Sequence, residues 1–356
     1  MKPTNLDDPL TYKQLDPQNM LQHIQDVPDL CHQAWTQAQS IRLPSKYSHI
    51  NNIAILGMGG SAIGGDLLSG LVPGELPVPI NVHRGYTLPA YVNQNTLVIA
   101  SSYSGSTEET LSAFQQAIEV KASILVMTTG GRMKTIADEH GLPVFIFNYQ
   151  SPPRAALYLS FIALLGIMQK LGFIADKNAA VMQSVKLLEE LEHKLNPEVP
   201  SVSNTAKQIA RAMSGKMVVI YGAEFLSEVA HRWKAQINEN AKSWAFYGAI
   251  PEINHNDVTG YQFPKEISHN TLAIILNSPL LNERIKQRYQ ITAELLKQSG
   301  IEHYEVNATA PESLSEMLEL MLLGDFASYY LSLLNRTDPY PIKAVDFLKA
   351  ELTKKP

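Results

Sequence analysis

The apolar residues fall into two alternating series. In the first, the runs Asn52–Leu56 (NIAIL), Ile80–His83, Thr96–Ala100 (TLVIA), Ser123–Met127 (SILVM) and Pro143–Phe147 (PVFIF) read as strands, with helices starting near Ser61 and Thr107. Arg154–Leu171 closes this series as a long apolar helix. In the second, Met217–Tyr221 (MVVIY), Leu272–Leu276 (LAIIL) and His303–Val306 read as strands, and Glu224–Asn240, Glu283–Ser299 and Pro311–Leu334 as helices. Continuous apolar strands alternating with helices predict parallel sheets covered on both faces. The expected fold class is α/β: two three-layer αβα sandwiches with mostly parallel sheets. The predicted organisation is an N-terminal helical arm over 1–48, a first sandwich over 49–175, a helical linker over 176–216, a second sandwich over 217–335 and a C-terminal helix over 336–356. No residue-level repeat relates the two halves.

Composition narrows the function classes. The 356 residues are 45% hydrophobic and 18% charged, with a formal net charge of −5 and no long basic run, so no nucleic-acid partner is expected. A mildly acidic protein has to attract an anionic ligand locally, through backbone N–H groups and a few placed cations. Cys31 is the single cysteine, which excludes an intramolecular disulfide, and no Cys/His spacing suggests zinc. The N-terminal stretch MKPTNLDDPLTYKQLD has no apolar signal core. The most apolar stretch, Ala155–Met168, is flanked by Arg154 and Lys170. It is shorter than the ~18–20 residues that span a bilayer. A soluble, cytoplasmic protein without a membrane partner is expected.

Two strand-to-helix loops carry candidate chemistry. Gly57-Met58-Gly59-Gly60-Ser61 follows the first strand, where glycines allow close backbone approach and a helix N-terminus offers N–H groups to an anion. Gly57, Gly59 and Ala62 also fit a dinucleotide fingerprint, but the segment Ile80–Arg84 lacks the acidic residue for a ribose diol. Arg84 keeps an NADP reading open there, and a purely structural glycine turn stays open too. The second loop is Ser101-Ser102-Tyr103-Ser104-Gly105-Ser106-Thr107-Glu108-Glu109-Thr110. Ser106 and Glu109 have capping-box spacing, yet one cap does not account for Ser102, Ser104, Ser106 and Thr107 around a glycine. Hydroxyls with helix N–H groups suit a phosphate monoester. The chain contains no G-x-x-x-x-G-K-[ST], which argues against a nucleoside triphosphate.

From about residue 50 onward, GGS after one strand and SYSGSTEET after another resemble the sugar isomerase (SIS) domain. Two such domains in one chain resemble the phosphoglucose isomerase superfamily, so the two sandwiches would be SIS-type. The resemblance implies phosphate contacts from Gly59, Gly60, Ser61, Ser102, Ser104 and Thr107. SIS domains also serve as sugar-phosphate sensors, so the motif implies a fold more firmly than a reaction.

Aldose–ketose isomerisation requires a base that moves a proton between adjacent carbons, a cation for the enediolate, and an acid/base that opens the ring. By residue type alone, Glu239 at a helix end and His255 in a polar loop are open to a bland, solvated role. Arg154 at the start of an apolar helix opposes the helix dipole, which fits either a functional anion or a structural ion pair. The segments Asn238-Glu239-Asn240-Ala241-Lys242 and Pro251-Glu252-Ile253-Asn254-His255-Asn256 resemble the bifunctional phosphoglucose/phosphomannose isomerases. That resemblance implies Glu239 as the proton-transfer base and Arg154 as the enediolate partner. It implies His255 as the ring-opening group, contributed across a homodimer interface. The ending Asp338-Pro339-Tyr340-Pro341 through Leu348-Lys349 is similar to the family's D-P-x-P…L-K and implies that Lys349 assists ring opening. Lys343 competes for that role, and a basic residue complementing a helix dipole explains either. Ile342, bulky and apolar, would restrict the C2 epimer if it lines the site.

The expectation is therefore an isomerase interconverting glucose 6-phosphate, with mannose 6-phosphate as a further substrate, and fructose 6-phosphate, requiring no cofactor and no metal. The alternatives are a silent SIS binding protein, another SIS-type sugar-phosphate enzyme, and, more distantly, an NADP-dependent reductase.

Overall fold

The computed structural model describes residues 4–354; Met1–Pro3 of the arm and Lys355–Pro356 of the C-terminal segment lie outside the described residues. The chain forms two compact units. One contains Asp26–Leu188 and Pro311–Ser315. The other contains the segment up to Gln25, Glu189–Ala310 and the stretch from Glu316 onward.

The first unit holds β1 (Asn52–Leu56), β2 (Ile80–His83), β3 (Thr96–Ser101), β4 (Ser123–Thr128) and β5 (Val144–Ile146), in the order β2-β1-β3-β4-β5 with parallel pairings throughout. Alternate residues face opposite sides of a strand. Ala54, Leu56, Val98, Ala100, Ile124 and Val126 accordingly share a core with Phe114 of helix Glu108–Glu119 and Met133 of helix Gly131–Glu139. Ile55 points the other way, against Gly65 of helix Gly60–Leu71. Helix Leu157–Lys170 is buried from Leu157 to Met168, which is why it reads as apolar on every side. A short 3-10 turn, Pro153–Ala156, precedes it and takes the start of the helix predicted from Arg154. Helix Val27–Ser40 crosses Leu157–Lys170 at Gly166, beside Ala38 and Trp35.

The second unit holds β6 (Met217–Ala223), β7 (Ala245–Ile250), β8 (Thr271–Asn277) and β9 (Glu302–Asn307), in the order β7-β6-β8-β9 and again parallel. The expected α/β class with parallel sheets is therefore observed. Strand β7 was absent from the sequence expectation. It is an edge strand that carries exposed Phe246 and Tyr247 and is interrupted by Gly248, so it lacks a continuous apolar run. Helix Ser227–Ala241 is fixed to helix Ser313–Leu334 by polar contacts. The Trp233 indole N–H donates to the Leu320 carbonyl (2.7 Å), Arg232 pairs with Asp325 (3.0 Å) and the Asn240 amide donates to the Ser328 hydroxyl (3.0 Å). Ser313–Leu334 has the length and apolarity of a membrane span, but 89% of its most apolar window is buried in the protein, as in a core helix. The buried Lys207 ammonium donates to the carbonyls of Leu6, Pro197 and Val199 and pairs with Asp7, holding the first described residues in place.

A Cβ placed on Gly166 would lie 2.6 Å from the Ala38 Cβ. Helix propensity alone favours alanine over glycine by about 0.5–1 kcal/mol. The crowding outweighs it, so Gly166→Ala is expected to destabilise the protein by about 1–3 kcal/mol. Chemical denaturation reads the sign: an unchanged or raised midpoint would show that the two helices have slack.

Candidate active site

In the first sheet the chain leaves β1 toward β2 on one side, while β3 lies on the other. The loops after β1 and β3 therefore part at the carboxyl ends of adjacent strands, the position where open α/β sheets bind ligands. Both loops singled out from sequence meet there. Gly59 caps helix Gly60–Leu71 with φ +50° and ψ −130°, a backbone region essentially restricted to glycine. Gly105 has φ +66°, and a Cβ on it would collide with the Gly130 carbonyl.

The hydroxyls knit the two loops together. The Tyr103 backbone N–H donates to the Ser61 hydroxyl (3.2 Å), and the Ser102 and Thr107 hydroxyls lie 2.9 Å apart. The exposed Ser104 hydroxyl accepts from the Ser106 N–H at 3.3 Å. The capping explanation does not hold in the structure: Thr107, not Ser106, is the N-cap of helix Glu108–Glu119, and its side chain makes no capping bond.

Arg154 joins this cluster. It is 2% exposed, within the turn Pro153–Ala156. A Cβ on Gly60 would lie 3.4 Å from the Pro153 carbonyl oxygen and 3.8 Å from the Arg154 Cα, so this segment runs directly beside the first loop. The first unit thus gathers Gly59, Gly60, Ser61, Ser102, Ser104, Thr107 and Arg154 at one end of its sheet. Arg84, which kept the NADP reading open, is ion-paired with Asp66, so its guanidinium is already engaged.

Glu239 belongs to the second unit, in the last turn of helix Ser227–Ala241. It lines a cavity of about 680 Å³ together with Lys242, Trp244, Asp338, Ile342 and Lys343. Lys242 closes the helix in the left-handed conformation (φ +53°). Its ammonium donates to the carbonyls of Glu239 (2.6 Å), Asn240 (3.4 Å) and Pro339 (3.0 Å), which ties the helix end to the segment bearing Ile342 and Lys343. A cation on terminal carbonyls is favourable at a helix C-terminus.

His255 ends the 3-10 turn Glu252–His255, is exposed, and does not line this cavity. Its neighbour Asn254 is anchored by donating to Thr292 (2.9 Å) and accepting from Arg288 (3.3 Å). Desolvation, reinforced by Glu252, holds the nearby Asp257 carboxyl above its usual range. Lys349 stands exposed on helix Lys343–Thr353, away from the cavity, whereas Lys343 is on its wall. Sequence reasoning passed over Tyr103 and Lys242. Each lies inside a motif it quoted, and the signal was a large side chain between site residues.

Residues 202–352 match the family described as the bacterial phospho-glucose isomerase C-terminal SIS domain. A bifunctional phosphoglucose/phosphomannose isomerase of Caldicellulosiruptor bescii is 39% identical over 338 residues, covering 94% of this chain and 99% of that protein. This chain belongs to the bifunctional phosphoglucose/phosphomannose isomerase family. A further member, from Aquifex aeolicus, is 32% identical over 303 residues, covering 85% of this chain and 90% of its own. The family fold also recurs in the crystal structure of a glucose-6-phosphate isomerase like protein from Thermus thermophilus. That structure has a TM-score of 0.65 and 18% identity, and the match covers 98% of this chain and 99% of that one.

Lys242→Met removes the three carbonyl contacts while retaining most of the side-chain length. It is expected to speed amide hydrogen exchange across residues 336–345 and leave exchange in the first sheet unchanged. Exchange unaltered at 336–345 would show that Lys242 does not hold this segment.

Proposed function

We propose that the chain interconverts glucose 6-phosphate, and less readily mannose 6-phosphate because Ile342 lines the cavity that Glu239 shares, with fructose 6-phosphate through a 1,2-enediol. The observation that carries this reading is the near-full-length likeness to a bifunctional phosphoglucose/phosphomannose isomerase. The hydroxyl-lined loops after β1 and β3 and the placement of Glu239 in a cavity wall support it.

In this reading the phosphate is held by Gly59, Gly60, Ser61, Ser102, Ser104 and Thr107, chiefly through neutral donors. His255 opens the ring with help from a lysine. The resemblance favours Lys349 for that help, and the cavity wall favours Lys343. Glu239 then takes the proton from C2. The electron pair left behind forms the C1–C2 double bond, and the C1 carbonyl oxygen becomes the oxyanion that faces Arg154. The C2 hydroxyl proton passes to O1, and return of the carbon-bound proton from Glu239 to C1 then leaves the carbonyl at C2 and a hydroxyl at C1. Loss of the C2 proton erases the only difference between the two aldoses, so both reach the same enediol. No step draws on a metal or an organic cofactor.

The protein acts as a soluble cytoplasmic homodimer with His255 contributed by the neighbouring subunit. An exposed histidine outside the cavity that Glu239 lines supports this arrangement.

A coupled assay on each aldose tests the reaction. Turnover that survives EDTA is expected, and absence of turnover with both sugars would refute the reading. Glu239→Gln is expected to lower kcat by about 10²–10⁴-fold with KM little changed, as for loss of a general base. A fully active variant would remove Glu239 from that role.

Subunit crossing has its own test. When inactive Glu239→Gln and His255→Gln chains are co-expressed, each mixed dimer regains one intact site if the histidine crosses a two-fold interface. About a quarter of wild-type activity is then expected. No recovery would place His255 in its own subunit's site.

A further inference from the structure

We propose that the Tyr103 hydroxyl is the positioning group for Arg154, coupling the phosphate loop to the segment that carries the enediolate cation. The proposal rests on the isomerase reading above, and it assigns a role to the one large side chain in the serine loop.

Tyr103 is bonded at three points. Its backbone N–H donates to the Ser61 hydroxyl (3.2 Å), and its carbonyl accepts from the N–H (3.0 Å) and hydroxyl (2.7 Å) of Thr129. The main chain of this one residue therefore joins the loops after β1, β3 and β4. The side chain reaches elsewhere. Its hydroxyl donates to the Tyr149 carbonyl and accepts from the Ser151 N–H (2.9 Å), with the Ser151 hydroxyl 3.3 Å away and the Tyr103 ring 6.3 Å from that of Phe147.

From Ser151 to Arg154 the chain is stiff. Pro152 and Pro153 have restricted φ, the Ser151 hydroxyl donates to the Pro152 carbonyl (3.1 Å), and the Ala155 N–H donates to that same carbonyl (2.9 Å). A displacement at Ser151 is therefore carried into the buried Arg154, whose segment runs beside Gly60, where an added Cβ would lie 3.8 Å from the Arg154 Cα. A cation has to meet the oxyanion where charge develops, and a misplacement of about 1 Å costs on the order of 10²-fold in rate.

Tyr103→Phe separates the two functions. It retains every main-chain bond that shapes the phosphate loop and the ring that packs near Phe147, and it deletes only the hydroxyl. With glucose 6-phosphate as substrate, kcat is expected to fall about 10–100-fold while KM stays within about twofold, as for an interaction expressed in the transition state. Thermal unfolding of the variant is expected within a few degrees of wild type, so the loss is not one of folding.

A double-mutant cycle tests the route. In an Arg154→Lys background the same substitution is expected to change kcat less than about threefold, because residues acting through one group are not additive. An equal loss in both backgrounds, a raised KM with unchanged kcat, or full activity would each overturn the positioning role. Each of those outcomes would leave wild-type turnover, and so the isomerase reading, intact. Wild-type protein inactive on both aldoses would instead refute the isomerase reading, and this proposal with it.

Discussion

A parallel sheet whose strand order reverses beside its first strand has to leave its carboxyl end open between two diverging loops. Most of the function-bearing structure of this chain follows from that constraint. The order β2-β1-β3 sends helix Gly60–Leu71 and helix Glu108–Glu119 away from one point, so both N-termini and the loops before them face the same space. Glycine is required there because the backbone has to turn at Gly59 and pass under the Gly130 carbonyl at Gly105. Serine and threonine fit because hydroxyls can bond one another and turn toward an anion when one arrives.

The second sheet has the same order, β7-β6-β8, and the same opening, but fills it with its own carboxylates. Glu224, just after β6, accepts the N–H of Asn282, the N-cap of helix Glu283–Gln298. Glu316, fully buried, accepts from the Ser278 hydroxyl just after β8, and burial holds its carboxyl above the usual range. A phosphate brought to that end would meet carboxyl groups that already accept the protein's own donors. One topology thus yields a hydroxyl-lined end in one unit and a carboxylate-bearing end in the other. In the second unit the candidate chemistry lies instead in the last turn of helix Ser227–Ala241, at Glu239. Arg232–Asp325 and Asn240–Ser328 fix that helix laterally, and Lys242 fixes its end.

How much of this could be read from sequence depended on the range of the interaction. Strand β1 matches its apolar run residue for residue, because a strand buried on both faces leaves a continuous local signal, and the partly exposed edge strand β2 also falls on its expected residues. Strand β7 left a weaker signal, since Gly248 splits its apolar residues into two short pieces even though Phe246 and Tyr247 favour a strand. Chemically specific clusters such as the paired serine loops were legible as motifs. The ambiguity between Lys343 and Lys349 was not resolvable by spacing. Only the fold brings one of them to the wall that Glu239 shares. Tyr103 stood inside a quoted motif, yet its partners Tyr149 and Ser151 lie more than forty residues away, and no local pattern announces them.

The division of charge in the first unit gives the proposed mechanism its economy. If the phosphate were held by lysine or arginine, a cation would be neutralised in the ground state, and binding energy would be the same before and during turnover. Helix N-termini and hydroxyls hold a dianion with neutral dipoles, which leaves Arg154 for the oxyanion that exists only between the two sugars. The arrangement works only if the guanidinium cannot drift toward the phosphate. In the proposed arrangement that restraint comes from its burial, the proline pair before it and the Tyr103 hydroxyl bonded to the Ser151 N–H.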